Sequence, residues 1–90
     1  MNVFFTSRAW NQYHAWQMEN PAIAGKINEL IDAIRQSPFK GAGKPEPLRH
    51  NYVGWWSRRI TLEHRLVYRV EGKGPAQQII ILQCRHHYDE

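Results

Sequence analysis

Ile23, Ile27, Leu30, Ile31 and Ile34 stand at offsets of zero, four, seven, eight and eleven, which draws one apolar stripe along a helix. Asn20-Pro21 ahead of it supplies a cap and a proline at the first helical position, where the missing N–H costs nothing. Ser37-Pro38 closes it. Upstream, Trp10, Tyr13 and Trp16 recur at every third position, placing large rings along one side of an earlier helix that ends near Asn20. Thr6 or Ser7 can cap that helix by accepting a hydrogen bond from an orphan amide of its first turn. Asn2 to Phe5 is a short apolar run suited to a first strand.

Beyond the second helix the period changes. Lys40 to Pro47 is built of Gly, Pro, Lys and Glu, and predicts a loop whose two prolines limit its wandering. Val53 to Ile60, Arg65 to Val70 and Gln78 to Arg85 are β-branched and aromatic, separated by Thr61 to His64 and by Glu71 to Gln77. Three strands joined by short turns predict an antiparallel meander. Alternation puts Trp55, Ser57 and Arg59 on one sheet face and Trp56, Arg58 and Ile60 on the other. Arg65, Val67 and Arg69 likewise oppose Leu66, Tyr68 and Val70, which read as core. The expected architecture is α+β: a small antiparallel sheet with two N-terminal helices packed on one face, in a single domain over 1–90.

Composition sharpens this picture. Apolar residues make up 42% of the 90 positions, a folding composition. One Cys excludes an intramolecular disulfide and a multi-cysteine zinc cage. The longest apolar run, Ile79 to Leu82, is far short of a membrane span, and the N-terminus lacks a signal-peptide pattern, so a cytoplasmic protein is expected. The net charge is +4, and eight of the twelve basic residues are Arg. Between Arg49 and Arg69 five Arg face one Glu, a surplus as large as that of the whole chain. An anionic partner follows, with nucleic acid first and an acidic protein as the alternative.

Three groups could carry chemistry. Glu46 lies between Pro45 and Pro47, so its backbone has little freedom to lose before substrate arrives. A carboxylate so fixed can act as a general base, or be a surface Glu on a stiff loop. Arg49, Arg58, Arg59, Arg65 and Arg69 could supply cations to a phosphate or a charged transition state, or line a solvated face. The run Cys84-Arg85-His86-His87-Tyr88 offers two His, which can take either protonation state near neutrality. Adjacent strand residues point oppositely, so the two His do not converge on one metal ion, and no comparable ligand spacing exists elsewhere. Cys84 reads as core rather than nucleophile. Of Trp55 and Trp56, one is expected in the core and the other exposed, where it could stack on a base; Trp10 and Trp16 read as helix-packing residues. RNA carries its own nucleophile in the 2′-hydroxyl, and metal-free cleavage needs a base, a cation and an acid. Glu46, Arg65 and His87 could fill those roles, although their spacing does not place them together.

Ser37 to Asn51, Gly54 to Tyr68 and Cys84 to Tyr88, with Trp10, Tyr13, Trp16 and the Lys26 to Ile31 segment, closely resemble the YoeB toxins, the Txe/YoeB branch of the RelE superfamily. The resemblance implies a microbial-ribonuclease-like fold and a ribosome-dependent mRNA endonuclease acting in the ribosomal A site. It puts the general base on Glu46, the phosphate-stabilising cation on Arg65 and the general acid on His87, with Tyr88 beside it. Arg49 and Arg59 match basic positions that hold RNA or orient the site, Arg49 standing where Lys is often found. No cofactor or metal is implied. The implied partners are a YefM-like antitoxin, the 70S ribosome with its A-site mRNA, and operator DNA only through the antitoxin complex; a homodimer fits the family pattern, and no membrane is involved. His86 stands where Tyr is common, so His87 is chosen as the acid by alignment to the terminal His-Tyr. The Asp89-Glu90 extension and the long Glu71 to Gln77 turn also depart from the pattern, without removing a catalytic group. A non-catalytic basic protein that blocks translation by occupancy is the alternative.

Overall fold

The first helix starts where a side chain can cap it. Thr6 accepts the Ala9 N–H at 3.1 Å through Oγ1 and donates that hydroxyl to Leu82 O at 2.9 Å, which ties the cap to the sheet. In this computed structural model, which describes residues 1–87, the elements are β1 (Asn2–Phe5), α1 (Ser7–Glu19), α2 (Pro21–Gln36), β2 (Glu46–Pro47), β3 (Trp56–Arg59), β4 (Arg65–Glu71) and β5 (Gln78–Gln83). Both helices end as the sequence predicts, α1 against Asn20-Pro21 and α2 at Ser37. Among the described residues no helix is long and apolar enough to cross a membrane.

The sheet runs β1-β5-β4-β3-β2. The expected meander is present as β3, β4 and β5, but the sheet is mixed, because β1 pairs parallel to β5 with Val3 opposite Ile79 and Phe5 opposite Ile81. The two helices carry the chain back over one face between β1 and the later strands, and a crossover is what parallel pairing requires. Two expected boundaries also move. The chain before β3 coils into a short 3-10 turn at His50–Tyr52, so the strand starts at Trp56 and not at Val53. Glu46 and Pro47, expected in a loop, add a two-residue strand opposite Ser57 and Trp56.

The core fills the space between helices and sheet. Ile27, Leu30 and Ile34 of α2 and Ala9 and Trp16 of α1 meet Leu66, Tyr68, Ile79, Ile81 and Cys84. Cys84 enters this cluster through a register shift. Tyr68 pairs with Ile81 while Val67 pairs with Gln83, so Leu82 is passed over. The alternation on β5 inverts there: Gln83 joins the face away from the helices, and Cys84 turns inward.

One buried cation organises the loop before β2. Arg58 is fully buried, on the core-facing side that alternation assigns to it, and is a structural residue rather than part of an exposed cationic face. Its Nη2 donates to Ser37 O at 2.7 Å and Lys40 O at 2.9 Å, and its Nη1 to Ala42 O at 3.0 Å. Its Nε donates to the Tyr68 hydroxyl at 3.1 Å, which donates in turn to Pro38 O at 2.7 Å. Burial pushes the Tyr68 phenol up, against the opposing pull of Arg58. Gly43, at φ 84°, completes the loop: a Cβ there would lie 2.9 Å from Leu30 Cδ2 and 3.0 Å from Arg58 Cβ. Its carbonyl accepts the Arg59 N–H at 2.7 Å.

Candidate active site

The face of the sheet away from the helices carries the candidate residues. Residues directly opposite on paired strands share a face. Glu46 opposes Ser57, Ser57 opposes Val67, and Val67 opposes Gln83, which makes one row across four strands. On the same face Arg59 opposes Arg65. Like charges directly opposite each other are unfavourable in a sheet, so this pair gives the face a concentrated positive field that an anion would relieve.

Each side chain is set by local geometry. The Glu46 backbone is fixed by its flanking prolines and by β2–β3 pairing, and its side chain is exposed. Arg65 Nη1 donates to the carbonyls of Thr61, Leu62 and His64 at 3.0, 3.1 and 3.3 Å. The turn between β3 and β4 thus grips one edge of the guanidinium, and among the described residues no hydrogen bond engages its Nε or Nη2. Arg59 is exposed. Arg69 is not an unengaged cation: it stacks 4.6 Å from the Trp55 ring centre and pairs with Glu71. Of the two adjacent tryptophans, Trp56 packs toward the core and against Phe39, while Trp55 lies under Arg69.

The segment after β5 is no longer a strand, so the expected alternation of His86 and His87 does not apply. His86 has a left-handed backbone, φ 66°. Its N–H donates to His64 Nδ1 at 2.8 Å, and its carbonyl accepts the Arg65 N–H at 3.1 Å. Gln83 Nε2 donates to Arg85 O at 3.2 Å and His87 O at 3.3 Å, bracing the same turn. Arg85 makes a two-pronged contact with Glu19, 2.7 and 3.2 Å, and lies over Trp16 at 4.2 Å. That contact holds the Glu19 carboxyl below its ordinary range. Tyr88 and the Asp89-Glu90 extension lie outside the described residues.

The predicted residues divide between two recesses. Glu46 and Arg49 line one of about 370 Å³. His86 and His87 line another of about 300 Å³, together with Gln83, Tyr52 and the α1 residues Arg8 and Gln12. Glu46 and Gln83 sit at the two ends of the four-strand row, about 14 Å apart by ordinary strand spacing. Arg59 and Arg65 lie on the strands between. Tyr52, Arg8 and Gln12 were not among the sequence candidates, because only the folded chain carries α1 and the 3-10 turn to the His87 recess. Cys84 is buried and burial pushes its thiol up to about 12, which confirms it as core. Among the described residues no three His, Cys, Asp or Glu gather as a metal-binding group.

Comparison with known proteins places this arrangement in a family. The family model described as "YoeB-like toxin of bacterial type II toxin-antitoxin system" matches residues 5–88. The chain is 49% identical over 88 residues to Toxin YoeB of Escherichia coli K12, covering 98% of this chain and 100% of that protein. A solved YoeB/ParE toxin from Agrobacterium tumefaciens is similar with a TM-score of 0.96 at 48% identity, covering 98% of this chain and 100% of that one. A YoeB–YefM complex from Staphylococcus aureus is similar with a TM-score of 0.87 at 40% identity, over 98% of each chain. A match over nearly the whole length, in sequence and in fold together, means that the chain belongs to the YoeB-like toxins of bacterial type II toxin–antitoxin systems, within the RelE superfamily.

Proposed function

We propose that this toxin is a ribosome-dependent endoribonuclease that cuts mRNA in the ribosomal A site by acid–base attack of the RNA on itself. Glu46 takes the proton of a 2′-hydroxyl, and the freed oxygen attacks the adjacent phosphorus. Arg65, with Arg59 opposite it, stabilises the charge that builds on the phosphorane oxygens. His87 gives a proton to the departing 5′-oxygen. The products are a 2′,3′-cyclic phosphate, or the 3′-phosphate it hydrolyses to, and a 5′-hydroxyl. Every proton in this scheme is carried by protein side chains, so the chemistry asks for no cofactor. Arg49 and His86 support RNA at the two ends of the row, and Tyr88 adjoins the acid.

The observation that carries this reading is the row itself. Glu46 stands at one end, Arg59 and Arg65 share the same sheet face between, and Gln83 at the other end holds the His87 carbonyl at 3.3 Å. In-line displacement needs base and acid on opposite sides of the phosphorus, with cations between them. The row is open and wide, and an ordered message presented by a ribosome would supply the positioning that a 90-residue scaffold does not. The protein then works in the cytoplasm, and a YefM-like antitoxin neutralises it, as the Staphylococcus aureus complex suggests.

Primer extension on a defined message in a purified translation system tests the reading, with and without ribosomes, for wild type and Glu46→Gln. The expected result is a ribosome-dependent stop inside the A-site codon with wild type, weakened at least a hundredfold in Glu46→Gln. Translation arrest with an intact message would replace catalysis by occupancy.

A further inference from the structure

We propose that His64 is a positioning residue, whose unprotonated Nδ1 holds the backbone of His86 and thereby sets the aim of the His87 imidazole. The inference rests on His87 as the general acid of the proposed cleavage, and adds the element that fixes where its proton is delivered.

His86 is the hinge of the turn that follows β5. Its left-handed backbone, φ 66°, is uncommon for any residue other than glycine. Two tethers hold it, and they come from adjacent residues. The His86 N–H goes to His64 Nδ1 at 2.8 Å, and its carbonyl takes the Arg65 N–H at 3.1 Å. The backbone unit that leads into His87 is therefore clamped to the start of β4, where Arg65 also sits. Acid and cation share one anchor, so the distance between them is set by a single residue pair.

The anchor is itself rigid. The His64 ring stands edge-on to Trp16 at 4.8 Å, and its side chain is only 12% exposed. Trp16 is in turn fixed by donating its indole N–H to Cys84 O at 2.9 Å. The His64 backbone N–H bonds Thr61 Oγ1 at 3.0 Å, and its carbonyl accepts the Ile60 N–H at 3.0 Å. A ring so enclosed presents one nitrogen to one amide, and the amide fixes the tautomer: Nδ1 must be the bare nitrogen, leaving any ring proton on Nε2. Glu63 Oε1 lies 3.7 Å from that Nε2.

The surroundings keep the ring unprotonated. Burial lowers the His64 pKa from its ordinary 6.5; the Glu63 carboxylate opposes this, and His86, Arg85 and His87 push the same way as burial. Protonation would put a second N–H against the His86 N–H and turn the clamp into a repulsion. The tether is therefore whole at neutral pH and opens only in acid, below the ordinary imidazole range.

Substitutions separate the tether from mere packing. Asn places its side-chain oxygen where Nδ1 lies, whereas Phe fills the ring volume without an acceptor. In wild type, a scalar coupling across the hydrogen bond between His86 N and His64 Nδ1 is expected by nitrogen NMR at pH 7.5. The His86 amide should exchange at least tenfold faster in His64→Phe and stay within about threefold of wild type in His64→Asn. In the ribosomal cleavage assay His64→Phe should lose at least tenfold in kcat with KM unchanged, while His64→Asn keeps most of it. Absence of the wild-type coupling overturns the proposal even if His64→Phe fails to fold. Equal activity of wild type and His64→Phe overturns it too, as does an equal loss in Asn and Phe variants without a change in His86 exchange. A wild type that leaves the message intact overturns the nuclease reading, and is distinguished from these by failing before any His64 variant is compared.

Discussion

Replacing Arg58 by Met removes every donor from the interior of the loop that leads to Glu46 while leaving an apolar side chain in the space. Three backbone carbonyls, of Ser37, Lys40 and Ala42, lose their partner, and the Tyr68 hydroxyl loses its donor. Hydrogen bonds to a charged donor are worth about 1.5–3 kcal/mol each, so four amount to roughly 6–12 kcal/mol before any offset. Against that stands the several kcal/mol of desolvation that a buried guanidinium no longer suffers in the variant. The net loss is about 3–5 kcal/mol, the scale seen when one side of a buried charged network is removed. A domain of this size has about 5–13 kcal/mol in total, so Arg58→Met should be marginal at 37 °C. Urea unfolding followed by far-UV circular dichroism measures it: the midpoint should fall sharply with m unchanged, and the melting temperature by about 12 °C or more. Arg58→Lys, with one nitrogen in place of three, should fall between the two. A loss below about 1 kcal/mol in Arg58→Met would refute the reasoning, because the loop would then be held by Gly43 and its prolines alone.

Two further outcomes follow from the same packing. Gly43→Ala should lose about 2 kcal/mol or more in the same urea assay, since the new Cβ meets Leu30 and Arg58 on a backbone at φ 84°. Cys84 should resist thiol reagents in the folded protein and react fully in urea. Its thiol is raised from 9.0 to about 12, so the folded state holds the proton more tightly than the unfolded chain. Its contribution to stability is intact below pH 9 and declines as pH rises through that window, by about 1.4 kcal/mol at pH 10 relative to Cys84→Ala; parallel pH profiles for the two proteins would contradict it.

The helices were legible because their signals are local. A stripe at helical spacing, a capping Thr6 and the Asn20-Pro21 boundary each act within a few residues, and each lands where expected. Alternation on β3 also separated Arg58 from Arg59 correctly, although charge alone had grouped them as available cations. What the sequence hid was long-range. The direction of β1 depends on β5, which lies more than seventy residues away, and no property of Asn2 to Phe5 encodes it. The register shift that turns Cys84 inward comes from the extra residue, Leu82, that β5 carries opposite Val67 and Tyr68 of β4, so simple alternation misplaces everything after Leu82. His64 looked like turn filler because its partner is twenty-two residues downstream. Glu46 stood out through its prolines, whereas its alignment with Gln83 needed four strands to be assembled.

The parallel pairing of β1 with β5 also governs when this protein comes into being. Translation delivers β1 first and β5 last of all the strands, and the Thr6 N–H finds its acceptor, Ile81 O, only after both exist. Between those moments the nascent chain holds two helices whose apolar faces lack the middle of their sheet, and the strand that supports the His86 turn has not been made. Vectorial synthesis thus orders assembly so that the sheet closes only once β5 has been made. A toxin gains from that schedule: the strand that braces the His86 turn is the last of the five to be made, so the candidate site takes shape only after the rest of the sheet exists.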